Sequence, residues 1–588
     1  MRARKAIWVL MFVALLPSLL AAQNIEQIKN ADPLVITGAV GTKNTYRYTS
    51  GKDYASPLNS TIYASLNINV YGFAMPFSLY YVNNNFQFNY PLLSFSLHPS
   101  YKYWTGYFGE NSMAMSSYVM NMSFTGIGFE YNDKKRWRGG AFYGRLRKAI
   151  NDDPTDPLAR SPQYRRVGWG VKAGYGSGKN YIDMYLLYAF DCLNSLDERW
   201  FTKVSPHDNV VVGMKGCVTP FKWMNFTANA AASVFSTDTR TEKVPTETAF
   251  DKVFDVRYST LMRFAGDANM NLTFKGFNTS LTYKFIQPDY TSLGNQYMSN
   301  NYQSLGVTTS GSLFKKLSLS ATFNGQADNL TKEQLYTTQG FIYNANASMR
   351  VGKHLNLTAG YNGYLQSQRD GKVKVNDTTE VRRVMNSFSF TPSYNYDTKL
   401  IGHSASLSLN ITGNRDLNRF ATGESDVRTT AFGASYGADV HPWEVNFGFS
   451  FSHQQSRGYQ KRYSSDVLSL TASRSFLQEK NLKVSFTGSM AYNEVRHQSK
   501  NLSIGCNFNV GYTLAKVHVF GASGSFNKFG DVNLTKTRSN LNMKDISLSL
   551  NYAYTFTLLT IKSKKHKQEE AERRAKEVQA QKEKALKG

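Results

Sequence analysis

"KDISLSLNYAYTFTLLTIKSKKHKQEEAERR" (544–574), near the carboxyl end, carries the pattern that decides the fold. From Ile546 to Leu558 every second residue is apolar: Ile546, Leu548, Leu550, Tyr552, Tyr554, Phe556, Leu558. Ser547, Ser549, Asn551, Ala553, Thr555 and Thr557 lie between them, and the run ends in lysines. A period of two sends successive side chains to opposite faces of a β-strand. Soluble strands average about five or six residues, whereas about nine to eleven cross a bilayer at a tilt. This run has the longer habit.

The same alternation recurs upstream. "STIYASLNINVYG" (60–72) sets Ile62, Ala64, Leu66, Ile68 and Val70 against Ser65, Asn67 and Asn69. "HSASLSLNITG" (403–413) sets Ala405, Leu407, Leu409 and Ile411 against serines and Asn410. "WEVNFGFSFSH" (443–453) sets Val445, Phe447, Phe449 and Phe451 against Glu444, Asn446, Gly448 and Ser450. "NLKVSFTGSMAY" (481–492) sets Leu482, Val484, Phe486, Met490 and Tyr492 against Lys483, Ser485, Thr487 and Ser489. Aromatic residues gather at the ends of such runs, as at Tyr46, Tyr48, Tyr80, Tyr81 and Trp443, where headgroups would meet them.

Connections alternate between short and long. Tight turns are predicted at 71–74, 132–136, 176–180, 220–223, 274–278, 314–316, 352–354, 396–399, 441–443, 478–481 and 514–516. Longer loops are predicted at 149–165, 191–208, 237–256, 287–301, 369–381, 414–426 and 528–543. Counting hairpins from Leu34 gives about 26 strands, within a range of about 24–26, including a pair over 92–108. Hydrocarbon requires every backbone N–H and C=O to be paired internally, and a closed sheet achieves this. The expectation is a single all-β, antiparallel transmembrane β-barrel over 34–560, its last strand sealed against "PLVITGAVGTKNTYRY" (33–48).

The bulk numbers agree. The chain has 588 residues, a mean hydropathy of −0.41, 37 Tyr, 38 Phe, 43 Gly and 15 Pro. Arg2, Arg4 and Lys5 precede an apolar run over 6–20 that ends in small residues, the form of a secretory signal spanning 1–22. Nothing later is apolar for about eighteen residues, which excludes spanning helices. A short periplasmic segment over 23–33 and a charged periplasmic tail over 561–588 complete the expected organisation. The net charge of +26 has no concentrated basic stripe and no nucleic-acid motif, so no nucleic-acid partner is expected. Cys192, Cys217 and Cys506 are scattered and fit neither a disulfide framework nor a metal site.

Over 34–150, "SLNINVYGFAMPFSLYYVNNNF" (65–86), "HPSYKYWTGYFGENSMAMSSYVMNMSFTGIGFEY" (98–131) and "RWRGGAFYGRLRKAI" (136–150) resemble the opening hairpins of large Bacteroidota-type outer-membrane barrels of unassigned activity. The resemblance implies location and architecture, and brings no functional residue with it. About ten residues separate the signal from the first strand, so no plug domain of the TonB-dependent kind is expected.

Few motifs carry chemistry. "GWGVKAGYGSG" (168–178) has glycines but no following helix whose N-terminus could hold phosphate. Asp152, Asp153 and Asp156 cluster in a predicted loop without the Gly and Glu of a helix-loop-helix calcium site. Lys215, Lys284, Lys483 and Glu444 are predicted to face the lumen, where they either tune ions or fill space. No His-Glu-x-x-His and no Ser/His/Asp set occurs, so no catalytic, cofactor-binding or metal residue is nominated, and no enzyme is expected. The tail from Lys562 mixes Glu with Lys and Arg at helical offsets.

A round barrel of this size would be about 50 Å across its backbone. Such a hole needs closing by inward-folded loops, flattening or a partner. The sequence therefore points to an outer-membrane channel or translocation component without an intrinsic plug domain. The alternative is a structural or assembly scaffold that binds partners through its outer loops and basic tail.

Overall fold

The computed structural model describes residues 32–562 apart from 51–56, 72, 84–91, 153–159, 246–253, 379, 478, 480 and 532–542. The predicted signal, most of 23–33, the tail beyond 562, Asp153 and Asp156 lie outside the described residues.

Twenty-seven strand segments form one antiparallel sheet. Leu92–Leu97 and Ser100–Tyr101 share one place between Phe73–Asn83 and Trp104–Asn111. Twenty-six strands therefore go round the barrel. The break falls at His98–Pro99, where proline has no N–H to give a ladder and its carbonyl instead accepts from Gly106 N. Each other strand pairs with its neighbours in sequence. The first, Leu34–Thr49, closes the ring on the last, Met543–Ile561, from Leu34 opposite Ile561 to Thr49 opposite Asp545.

That seam contains one correction to the sequence pattern. Ile36 pairs with Leu559 and Thr37 with Thr557, so Leu558 is an extra, bulged residue. The clean alternation ends at Phe556, and the bulge resets its phase so that Leu559 and Ile561 share the apolar face. On the lumen side, Thr45 and Ser549 hydroxyls meet at 3.2 Å and Thr49 Oγ1 donates to Asp545 at 2.8 Å.

The faces divide as the period requires. Phe486 is 52% exposed on the outside, while its neighbour Thr487 meets Thr471 at 3.2 Å on the inside. The predicted tight turns all fall at the barrel end where Leu34 and Ile561 sit, here called the turn end; the longer connections fall at the opposite, loop end. Long loops are not universal there. Residues 459–461 and 496–498 are short connections at the loop end, shorter than the predicted pattern, because their strands lengthen instead: every strand from Tyr336 onward has 14–19 residues.

Candidate functional site

The feature that sets this barrel apart from an open hoop is a pair of loops folded into its lumen. The first, 112–123, leaves Trp104–Asn111 and returns on Phe124–Asn132; the second, 287–301, joins Phe277–Ile286 to Tyr302–Leu313. Their sequences, "SMAMSSYVMNMS" (112–123) and "QPDYTSLGNQYMSNN" (287–301), combine small polar and apolar residues.

The loops clasp each other. Met120 and Gly294 form a parallel β-bridge, and Asn121 and Met122 N–H groups donate to Gly294 O at 3.2 and 3.3 Å. Tyr290 OH donates to Tyr118 O at 2.9 Å, and Asn295 Nδ2 to Ser117 O at 2.9 Å. Ser292 Oγ donates to Val119 O at 2.5 Å. The Tyr118 and Tyr290 rings meet edge to face, 6.4 Å apart. Burial pushes both phenols well above the ordinary tyrosine value, and at Tyr118 a hydrogen bond to Asp267 adds to it. Both stay neutral.

The clasp is fastened to the inner wall. Ser116 Oγ donates to Asn229 Oδ1 at 2.8 Å, Leu293 N to Asn209 Oδ1 at 3.0 Å, and Ser233 Oγ to Thr291 O at 2.5 Å. Lys172 Nζ reaches Ala114 O at 3.2 Å while pairing with Glu130 at 2.8 Å. Between these bonds Val119, Met120, Tyr290 and Leu293 pack on Leu187, Val211, Ala231, Ala265 and Ile286. Val119, Leu187 and Val211 have no exposed surface. Burial of such side chains contributes roughly 1.5–3 kcal/mol each. Two glycines permit the approach: a Cβ at Gly213 would lie 2.5 Å from Val119 Cγ2, and one at Gly294 would lie 2.5 Å from Leu187 Cδ2.

At the loop end, three further connections, after Arg147, Asp191 and Ser236, pack into a second body. The Asp191 carboxylate, fully buried, accepts from Arg166 Nε at 2.9 Å and from Arg166 NH2 at 3.1 Å, with Arg147 at 3.5 Å and His207 N at 3.2 Å. Tyr164, Leu196 and Trp200 make a small apolar core beside it. Arg240 ties the next loop in by donating to Phe201 O and to Ser205 Oγ. Burial lowers the His207 pKa, opposed by the Asp191 charge.

The predicted residues fall elsewhere. Lys215 shares the inward face of Val211 and Gly213, and Lys284 Nζ lies 5.3 Å from the Tyr302 ring centre. Lys483 shares the inward face of Thr487, far round the wall. Glu444 is not in the lumen row: Pro442 helps form a tight turn over His441–Trp443, and Glu444 takes a left-handed conformation, φ +51°, at its end. Asp152 lies in its loop, where two Arg160 guanidinium bonds hold its pKa down at about 2; the carboxylate is paired, not free for calcium. No group of three or more metal-ligating carboxylate, His or Cys side chains occurs among the described residues. The clasp itself carried a readable signal. "MYLLYAF" (184–190), "NVVVGM" (209–214) and "ANAAASVF" (228–235) put Leu187, Ala189, Val211 and Ala231 on the inner face among the anchors Asn209, Asn229 and Ser233, unusual for a wall whose inner face meets water.

No protein-family model matches the sequence, and no curated protein matches it. Solved structures similar to the chain include OccAB3 of Acinetobacter baumannii, at 10% identity and TM-score 0.31, covering 64% of this chain and 98% of that one. The outer membrane protein OpdK of Pseudomonas aeruginosa is similar at 10% identity and TM-score 0.31, covering 60% of this chain and 94% of its own. OccAB2 of Acinetobacter baumannii follows at 10% identity and TM-score 0.30, covering 60% and 92%.

Proposed function

We propose that the chain is a bacterial outer-membrane channel or translocation component, constricted by its own clasped loops at 112–123 and 287–301. The observation that carries this reading is the seating of the clasp: a wide polar cylinder with an apolar exterior has a built obstruction bonded to one arc of its inner wall. A barrel needed only as a membrane anchor gains nothing from ordering two loops inside its lumen, which costs backbone entropy of about 1–2 kcal/mol per residue. On this reading the turn end and both chain ends face the periplasm, and the tail from Lys562 is available to a periplasmic partner. Planar-bilayer recording tests the proposal. The native chain should show small or rare openings, and replacing 112–123 by a short Gly-Ser turn should give large, lasting ones. Equal conductance for both proteins sinks it.

The scaffold reading keeps one observation in its favour. The Asp191 network makes a rigid outer platform from loops that a simple pore could leave loose. Capture of the same outer-membrane partners by a chain with Asp191→Asn would remove that support.

A further inference from the structure

The outer wall bears a row of opposed cations near the loop end. Arg428, on Val427–Val440, stands directly opposite Arg457, on Val445–Gly458. Arg457 stands directly opposite Arg462, at the start of Arg462–Phe476. Parity puts all three outside: Arg428 shares a face with Phe432 and Arg462 with Leu470, which are 42% and 57% exposed. Arg415 extends the row on the adjoining strand, on the face of Leu409 and Ile411. Farther round, Lys528 faces Lys544 on the face of Phe526 and Leu548.

Like charges directly opposite one another destabilise a sheet. Nearby acids do not relieve them. Asp466, on the same face, is held by His453 at 2.6 Å, and Glu494 lies 3.9 Å from Lys500. Among the described residues no carboxylate pairs with Arg415, Arg428, Arg457 or Arg462; Arg457 Nε donates to Gln455 Oε1 at 3.0 Å. An anion with several oxygens would bridge such a row, and the guanidinium fork suits phosphate in particular.

We propose that Arg415, Arg428, Arg457 and Arg462 form a binding site for the phosphorylated headgroup of a lipid in the leaflet at the loop end. A lipid fits better than free phosphate because an exposed apolar band lies lower on the same outer face, past Thr430, Gln455 and Ser464, starting at Phe432 four residues from Arg428, and would take the acyl chains. The inference rests on the membrane-barrel reading above.

The test places the purified full chain in phosphatidylcholine vesicles with or without bisphosphorylated lipid A, then measures lipid A retained per barrel by mass spectrometry. The native chain should hold lipid A at least about tenfold more tightly than the triple variant R428Q/R457Q/R462Q. The triple Lys variant should fall between them, because it keeps charge but loses the fork. Equal retention by the native and Gln proteins overturns the site. Thermal protection by inorganic phosphate as large as that by lipid A overturns the choice of a lipid. Heat-modifiable migration on gels reports folding, and R457Q alone, at the centre of the row, serves if the triple variant does not fold. Failure of the native chain to insert into phosphatidylcholine vesicles sinks the barrel reading; insertion with equal retention sinks the headgroup site alone.

Discussion

The arc of wall from Trp104 to Leu313 and the arc from Tyr336 to Ile561 obey the same alternation and do different work. Apart from Thr49, every buried non-glycine residue among the described residues lies from Asn111 to Asn329. The first arc has strands of 8–15 residues, two loops inside it and three stapled above. The second has longer strands, a lumen face of serine, threonine and asparagine, and at two places only three-residue connections at the loop end. Period-two patterning thus specifies a wall, while the composition of the inner face specifies what leans on it. Ser406 and Ser435 bond each other at 2.7 Å on an open stretch of wall; protein covers Val211 and Ala231.

The contrast can be broken most strongly at Val119. Val119→Asp puts a charge where no surface is exposed, a cost large enough to unseat the clasp. Single-channel conductance should rise several-fold, and an unchanged trace would mean that the clasp does not obstruct passage. Next comes Asp191→Asn, which strips the buried Arg166 and the half-buried Arg147 of their counter-charge and should cost the loop platform about 3–5 kcal/mol. Limited proteolysis should then cut within 192–207, with the barrel still intact on a gel. A smaller, sharper test lies in the second arc. Leu470→Arg on the apolar face should cost about 2–4 kcal/mol in a folding titration, whereas Ser469→Arg, facing the lumen, should change stability by only about 0.5 kcal/mol. Equal costs would mean that the faces are reversed. The smallest effect concerns pH. The folded His207 pKa lies below its ordinary 6.5, so between the two values the unfolded loop binds the extra proton. Platform stability should therefore hold above about pH 6.5 and fall as pH drops through that range, reaching its full loss below the folded value. Hydrogen exchange of 192–207 measures it, and His207→Gln should flatten the profile.

The wall was legible because side-chain period and turn chemistry are local properties. Ile546 to Phe556 and the turns at 314–316 and 352–354 need no distant partner to be read. Three features were less so. The bulge at Leu558 depends on the register of a strand some five hundred residues away in sequence. Glu444 looked like the next lumen residue until Pro442 and a left-handed turn took it out of the strand. The clasp depends on two segments that meet only after the barrel closes, and 112–123 lies between strands whose alternation continues on either side. Its trace in the sequence was indirect: valines and alanines on an inner face that has no reason to be apolar unless something covers it.

An obstruction fastened along one arc has a geometric result that a central stopper lacks. Every anchor of the clasp described here lies on the first arc, so its hold on the wall is one-sided. If the chain is the channel proposed above, whatever passes must run beside the clasp, along the hydroxyl-lined second arc, and a thin, ribbon-like molecule would then be favoured over a compact sphere of equal volume.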